Sequence, residues 1–438
     1  MTFVNWLNSV RFWLVLRWRI FTHWWLNLYA KTFKFDCGAD FFAEVKYLEI
    51  FCGFYAKLRS TGDKLWWRSL RLVIAFRMSH ITGKFIFTFL EEDDFTYKVL
   101  IHTATYLMFC NCIQMFLLRV AYKEITSIRT FINGRTFLPE DSEAHRIRWA
   151  AYRKNLWTIL VPIPSNIFIW IFLFASGAYK WRVVNIGPDT LASIPWLRTS
   201  VQLFYWLQYS VGVEWFQLQT VLVNSMLYGL AGELGVVSYA CENLVQSVDS
   251  AVQVDLLNTA TSSDSSRGEA IFWKHFKIEL DKCARAHSKV LDQLMNLKRI
   301  LKPCLLMYYY SLLIVNAIII CAVKNGYFGA FTVPATVMVI YLNVDFFFIC
   351  YNMSRLDDLS CNIGDKIYNQ PWPYNLTLSD EFAREYRDIK STLKMMLTRA
   401  QAGMEFSCGG FFEMSLMKFA ELMELTYNMV MFVLQFHH

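Results

Sequence analysis

The chain has 438 residues and a formal net charge of +7; 55% of its residues are hydrophobic and 17% aromatic. With a positive mean hydropathy of +0.28 and apolar residues gathered in long blocks, it is more apolar than a soluble domain needs for its core, which excludes a soluble globular protein and implies a multi-pass membrane protein. No glycine-rich phosphate loop, metal-spaced histidine cluster or nucleophile elbow is present. An enzyme is therefore not expected, and neither is a cofactor, a metal or a nucleic-acid partner.

In chain order, the N-terminal segment interleaves tryptophans with arginines (Arg11, Trp13, Arg17, Trp18, Arg19) and has no cleavage site behind a clean apolar run. It reads as an interfacial helix rather than a removable signal. Trp66-Trp67 then borders the first of seven blocks long enough to cross a bilayer, at about 20 residues each: 70–90, 97–118, 156–178, 199–230, 304–323, 331–351 and 411–436. Arg71, Arg77 and Lys84 interrupt the first block, and Gly229, Gly232 and Gly235 suit close packing or termination of the fourth. The eleven cysteines lie mostly in apolar blocks or in segments assigned below to the cytosol, and Cys110-Asn111-Cys112 lacks redox or zinc spacing, so they read as reduced packing residues.

Of the 43 lysines and arginines, 34 fall in the N-terminal segment and in 119–154, 267–302 and 355–399, all on one side of a seven-span arrangement. The opposite loops hold few cations, and the first of them carries Glu91-Glu92-Asp93-Asp94. The positive-inside bias puts the N-terminus in the cytosol and the C-terminus outside, opposite to a G-protein-coupled receptor. The glycosylation sequons at Asn352 and Asn375 then face the cytosol and should stay unmodified.

The cytosolic segments carry apolar stripes of their own. From Ser379 to Ala402, Phe382, Tyr386, Ile389, Leu393, Leu397 and Ala400 recur three or four apart, which predicts an amphipathic helix that Gly403 can end. Residues 269–301 predict a second, running into the fifth span behind a serine-rich flexible stretch at 261–268. Two such stripes imply a helical anchor bundle beneath the membrane.

Gly409-Gly410 breaks the chain before the last block. At 100° per residue, Glu413, Glu424, Gln435, Asn428, Glu421 and Lys418 share an arc of about 140°. Polar groups at membrane depth face protein or water, and six on one arc favour a water-filled path, which one helix can line only if copies from several subunits surround it. Glu413, Glu421 and Glu424 would form acidic rings that favour cations, partly opposed by Lys418. Met431 and Phe432 would close the path by dewetting, with Gln435 capping the constriction.

The stretch Phe406-Ser-Cys-Gly-Gly-Phe-Phe412 and the final helix ending in Gln435-Phe436 are similar to the C-terminal signature of insect gustatory receptors, a family related to the odorant receptor co-receptor superfamily. That signature is Thr-Tyr, five hydrophobic residues, then Gln-Phe. Here seven residues separate Thr426-Tyr427 from Gln435, so Asn428 and Met429 stand at the positions of the threonine and tyrosine. Leu48-Glu-Ile-Phe-Cys-Gly-Phe-Tyr55 resembles the apolar motif that precedes the first span. The resemblance implies an all-α integral membrane protein of seven transmembrane helices, assembled as a homo- or hetero-tetramer with other gustatory receptors. It would be a tastant-gated, non-selective cation channel in the plasma membrane of a sensory dendrite, its pore lined by the last helix.

The expected division is a cytosolic segment (1–69), a six-helix ligand-binding region with cytosolic extensions (70–351), a cytosolic loop and anchor helix (352–410) and the pore helix (411–438). The outer halves of the spans offer Tyr106, Trp170, Phe174, Tyr205, Trp206, Tyr209, Asn316 and Tyr341 as candidate ligand contacts, aromatic walls with a few hydrogen-bonding groups. Glu214 and Asp345 are costly facing lipid and would pair with a span arginine or act in gating. A non-conducting or co-receptor subunit is the alternative function. A transporter fits worse, because seven spans without an internal repeat do not divide into inverted halves.

Overall fold

The computed structural model describes residues 40–51 and 54, scattered helical positions between 72 and 90, and residues 95–160, 195–258, 265–324, 332–370 and 382–435. Its helices are α1 (Ala43–Phe51), α2 (Phe95–Val120), α3 (Tyr122–Gly134), α4 (Ser142–Leu160), α5 (Pro195–Glu242), α6 (Leu244–Asn258), α7 (Ser265–Lys324), α8 (Thr332–Tyr368), α9 (Ala383–Gln401) and α10 (Leu416–Gln435). A two-stranded hairpin, β1 (Phe406–Cys408) and β2 (Phe412–Met414), stands between the last two helices.

Three helices are much longer than a bilayer requires. At 1.5 Å per residue, the 60 residues of α7 extend about 90 Å, the 48 of α5 about 72 Å and the 37 of α8 about 55 Å, against a hydrocarbon core of roughly 30 Å. Each can therefore continue from an apolar half into a half outside the lipid. Helix α7 contains both expected segments, 269–301 and 304–323, and runs through Pro303 without a break. Gln217–Glu242 and Gly268–Ile320 each contain a run apolar and long enough to cross a membrane. Five of the seven expected spans fall on α2, α5, α7, α8 and α10; those at 70–90 and 156–178 lie largely outside the described residues, as does the N-terminal interfacial segment.

The N-terminal half of α7 is the axis about which the helices expected to form the anchor pack. Trp273, Phe276, Leu280, Val290, Leu294, Leu297 and Leu301 are buried at intervals that keep one face inward. Helix α9 lies across this face and that of α8, burying Ile389, Leu393, Met396 and Ala400. Trp273 stacks on Phe382 (ring centroids 6.0 Å apart, planes at 18°) and meets Tyr386 edge-on. Gly403 follows in the left-handed conformation (φ 71°), as its place behind the helix suggested. The predicted flexible stretch overlaps the start of α7, since residues 265–268 are its first turn; 261–264 lie outside the described residues.

Glycines in α5 let other helices approach. A β-carbon on Gly229 would lie 2.6 Å from Ile132 of α3, and one on Gly232 3.0 Å from Ala151 of α4. They pack the helix rather than end it, since α5 continues to Glu242. Two buried ion pairs fix the same region: Arg148 of α4 holds Glu233 of α5 through two bonds of 2.7 and 2.9 Å, and Arg129 of α3 holds Glu49 of α1. Glu49 lies in the apolar motif noted before the first span, and Phe54 in that motif accepts a 2.6 Å bond from Arg119. Removing one partner of such a buried pair costs about 3–5 kcal/mol, because the other charge is left uncompensated.

Candidate pore and ligand site

The last helix is set in place by the hairpin. Phe406 pairs with Met414, Ser407 with Glu413 and Cys408 with Phe412 across a turn at Gly409 (φ 64°) and Gly410 (φ 95°), conformations that favour glycine. The Gly409 N–H donates to the Lys302 carbonyl at 2.9 Å, and a β-carbon there would meet Leu306 at 2.8 Å. The turn thus docks on α7 beside Pro303. Ser415 caps the helix that follows by accepting from Lys418 N–H at 3.3 Å, and Ser354 of α8 accepts from Leu416 N–H at 3.2 Å.

This corrects the wheel drawn from sequence. Residues 411–414 belong to the hairpin, so Glu413 sits exposed on β2 and not on the helical stripe. The helix begins at Leu416 because strand pairing claims the residues before it and Ser415 supplies the cap.

Helix α10 buries Leu422, Thr426 and Val430, spaced by four, against its own chain, chiefly α7 and α8. Thr426 turns its hydroxyl to the Leu422 carbonyl at 2.8 Å, which satisfies it inside. The opposite face carries Glu421, Glu424, Asn428, Met431, Phe432 and Gln435, all exposed on the single chain. Lys418 pairs with Glu421 at 2.6 Å; among the described residues Glu424 has no cationic partner. A helix that presents a lone carboxylate and two amides beside Met431 and Phe432 (61% exposed) fits neither plain lipid nor plain water.

The candidate ligand residues divide. Tyr106 of α2 approaches Ser311 of α7. Asn316 of α7 and Asn343 of α8 form a reciprocal amide pair at 2.9 Å in each direction. Tyr341 of α8 lies beside Asp345, with Tyr308 of α7 close by. Asp345 is buried; among the described residues it pairs with no arginine, the first of the two roles expected for it, and its Oδ2 has no hydrogen-bond partner. Tyr205, Trp206, Tyr209 and Glu214 lie on α5, but their side chains are outside the described residues, as are Trp170 and Phe174 altogether.

A small cavity of about 30 Å³ lies between α2, α5, α7 and α8, lined by Gln114, Gln219, Thr220 and Tyr308 among others. It is water-sized, and none of the described candidates Tyr106, Asn316 and Tyr341 borders it. The residues that sequence reasoning missed are the partners across helices: Asn343 opposite Asn316, Asn224 opposite Asn352, and Gln219 opposite Asn111. Their types were visible as amides in apolar blocks; their pairing was not. Asn352, one of the two sequon residues, donates to Asn224 at 3.0 Å and is buried, so it is not open to a glycan. Asn375 lies outside the described residues.

The sequence matches the family described as 7tm Odorant receptor over residues 96–427. No curated protein matches it. Among solved structures, the insect olfactory receptor OR5 from Machilis hrabei superposes with a TM-score of 0.66 at 10% identity, over 90% of this chain and 97% of the other. The same receptor in complex with eugenol gives 0.64 at 11% identity, over 91% and 100%. At that identity the likeness is one of fold. By its match over residues 96–427, the chain belongs to the insect odorant receptor family, whose members are membrane-embedded ligand-gated ion channels and not enzymes.

Proposed function

We propose that this chain is a chemosensory receptor subunit in the plasma membrane that forms a non-selective cation channel opened by a small organic molecule. Four copies, identical or mixed, place α10 around a central pore, with the N-terminus and the anchor of α7, α8 and α9 in the cytosol. The six earlier spans, within 70–351, hold the ligand; residues 352–410 form the anchor and its link, and 411–438 the pore segment. The observation that carries this reading is the division of α10: Leu422, Thr426 and Val430 face inward, while Glu421, Glu424, Asn428 and Gln435 face out of the chain. Outside a lipid environment that face needs water and further copies of itself.

The family match supports an odorant-class ligand over the tastant that the C-terminal resemblance implied, and the eugenol complex of a receptor of like fold supports a small aromatic one. Tyr106, Asn316 and Tyr341 are the described residues proposed to contact it. A second reading, a co-receptor or non-conducting subunit of a mixed assembly, is favoured by one observation: Asn428 stands where the signature has threonine.

The test is aqueous labelling of single cysteines along α10 during ligand activation. Positions 421, 424, 428 and 435 are expected to react with a charged thiol reagent, and positions 422, 426 and 430 to stay protected. Equal protection of both sets would remove α10 from the pore.

A further inference from the structure

Away from the apolar halves of the helices, a cleft of about 490 Å³ opens between the α3–α4 loop, the end of α5, the start of α6 and the lower part of α7. That volume is within the roughly 300–1,000 Å³ of small-molecule sites. Its floor is apolar, with Phe137, Val237, Leu244 and Val290. One wall carries Lys282, Arg285 and Lys289, three and four residues apart on one exposed face of α7.

The acids lining the cleft are already engaged. Asp141 accepts from Ala144 N–H at 2.7 Å at the start of α4, Glu233 is gripped by Arg148, and Glu279 holds Lys282 at 2.7 Å. Arg285 donates to the carbonyl of Asp281, and among the described residues no carboxylate pairs with Arg285 or Lys289. Two uncompensated cations at a concave, partly apolar wall concentrate positive potential there.

The opposing loop is a built wall. Arg135 (φ 44°) and Leu138 (φ 46°) are left-handed without being glycine, a conformation that costs on the order of 1–3 kcal/mol each. Arg148 holds the loop in that shape, donating to the carbonyls of Phe137 at 2.7 Å and Leu138 at 3.3 Å while bound to Glu233. Phe137, between these two left-handed residues, lines the cleft.

We infer that this cleft binds a small organic anion, a phosphate or carboxylate on an apolar body, with the anionic group at Arg285 and Lys289 and the body on Phe137, Val237 and Leu244. Two sources share that chemistry, a soluble organic phosphate and an anionic lipid headgroup. Lys289 precedes Cys304, where the apolar half of α7 begins, by 15 residues, or about 22 Å along the helix. The headgroup layer reaches only roughly 5–8 Å beyond the hydrocarbon, so the ligand is the soluble one. This distance uses the topology proposed above; the cleft and its charges do not depend on the channel reading.

Full-length protein in lipid nanodiscs, neutral or containing anionic phosphatidylserine, is titrated with phenyl phosphate, inorganic phosphate and phenol, and binding is followed by calorimetry and by the unfolding midpoint. Phenyl phosphate is expected to bind saturably, at least tenfold tighter than inorganic phosphate or phenol, in both kinds of disc. The double variant Arg285→Glu with Lys289→Glu, at two exposed positions, is expected to lose at least tenfold in affinity while its unligated midpoint and its ligand-gated currents stay unchanged. Those currents separate the cleft from the chemosensory pocket in the membrane. Displacement by anionic discs would keep the anion site and overturn the soluble source. Undiminished binding by the double variant, or phenyl phosphate binding no better than phenol, would overturn the site itself.

Discussion

Helices α9 and α10 are nearly equal in length, 19 and 20 residues, and only the hairpin segment separates them in the chain, yet only one is complete within it. Helix α9 buries Ile389, Leu393, Met396 and Ala400 and turns Arg384, Arg387, Lys390 and Lys394 away from the core, a division that water satisfies. Helix α10 buries a narrower seam and leaves acids, amides and large apolar side chains together on the rest of its surface. Leu425, Tyr427, Met431 and Phe432 are exposed beside Glu424 and Asn428. A surface of that mixture is stable where part of it meets water and part meets another subunit or lipid. An amphipathic pattern thus has two outcomes, and the composition of the outward face, more than the strength of the stripe, separates them.

The largest effect expected from breaking this contrast is on the finished helix. Leu393→Ala should cost about 2–5 kcal/mol, because the buried side chain leaves a cavity at the junction of α9 with α7 and α8. Thermal unfolding of the purified protein would show it as a lowered midpoint, with ion selectivity unchanged in the channels that still assemble.

An effect of somewhat smaller size should appear with pH. His287, on the buried part of α7 near Arg399 of α9, has its pKa lowered from 6.5 to about 4, first by burial and then by the neighbouring guanidinium. The unfolded chain therefore takes up this proton at a higher pH than the folded one. The contribution is whole above pH 6.5, declines as pH falls, and is lost once pH passes below about 4, a change on the order of 3 kcal/mol. Unfolding midpoints between pH 7 and 4.5 should fall less steeply in His287→Gln than in the parent; identical slopes would remove this histidine from the account.

The smallest effect on stability, and the most informative, is expected at Glu424. As an exposed carboxylate with no ion-pair partner among the described residues, Glu424→Gln should change stability by no more than about 0.5 kcal/mol. Under the pore reading, the same substitution should reduce the permeability of calcium relative to sodium, measured as a shift in reversal potential. A shift in unfolding without a shift in reversal potential would make α10 resemble α9.

Much of this contrast was legible in the sequence. The spacing of Ile389, Leu393 and Ala400 predicted α9, and the polar arc of Glu421, Glu424, Asn428 and Gln435 predicted which side of α10 would be turned outward. Glu413 escaped that reasoning, since a helical wheel assumes helix throughout, whereas the pairing of 406–408 with 412–414 depends on two glycines adopting positive φ and on a carbonyl offered by Lys302, more than a hundred residues away. Asp345 was marked as costly from its type and position, with an arginine partner or a part in gating as the alternatives; the side chains the fold brings beside it, Tyr341 and Tyr308, lie outside what its type could tell.

By itself, the sequence determined that the chain is helical and built for a membrane, because apolar run length and periodicity of 3.6 are local properties that each segment carries alone. The direction of the charge bias and the identity of the polar arc are local in the same sense. Only the tertiary structure decided which amides meet across helices, how Arg148 and Glu233 strain the α3–α4 loop, and where the hairpin stops the last helix. Each of those depends on contacts between residues remote in the chain, and their geometry exists only once the long helices α5, α7 and α8 lie side by side.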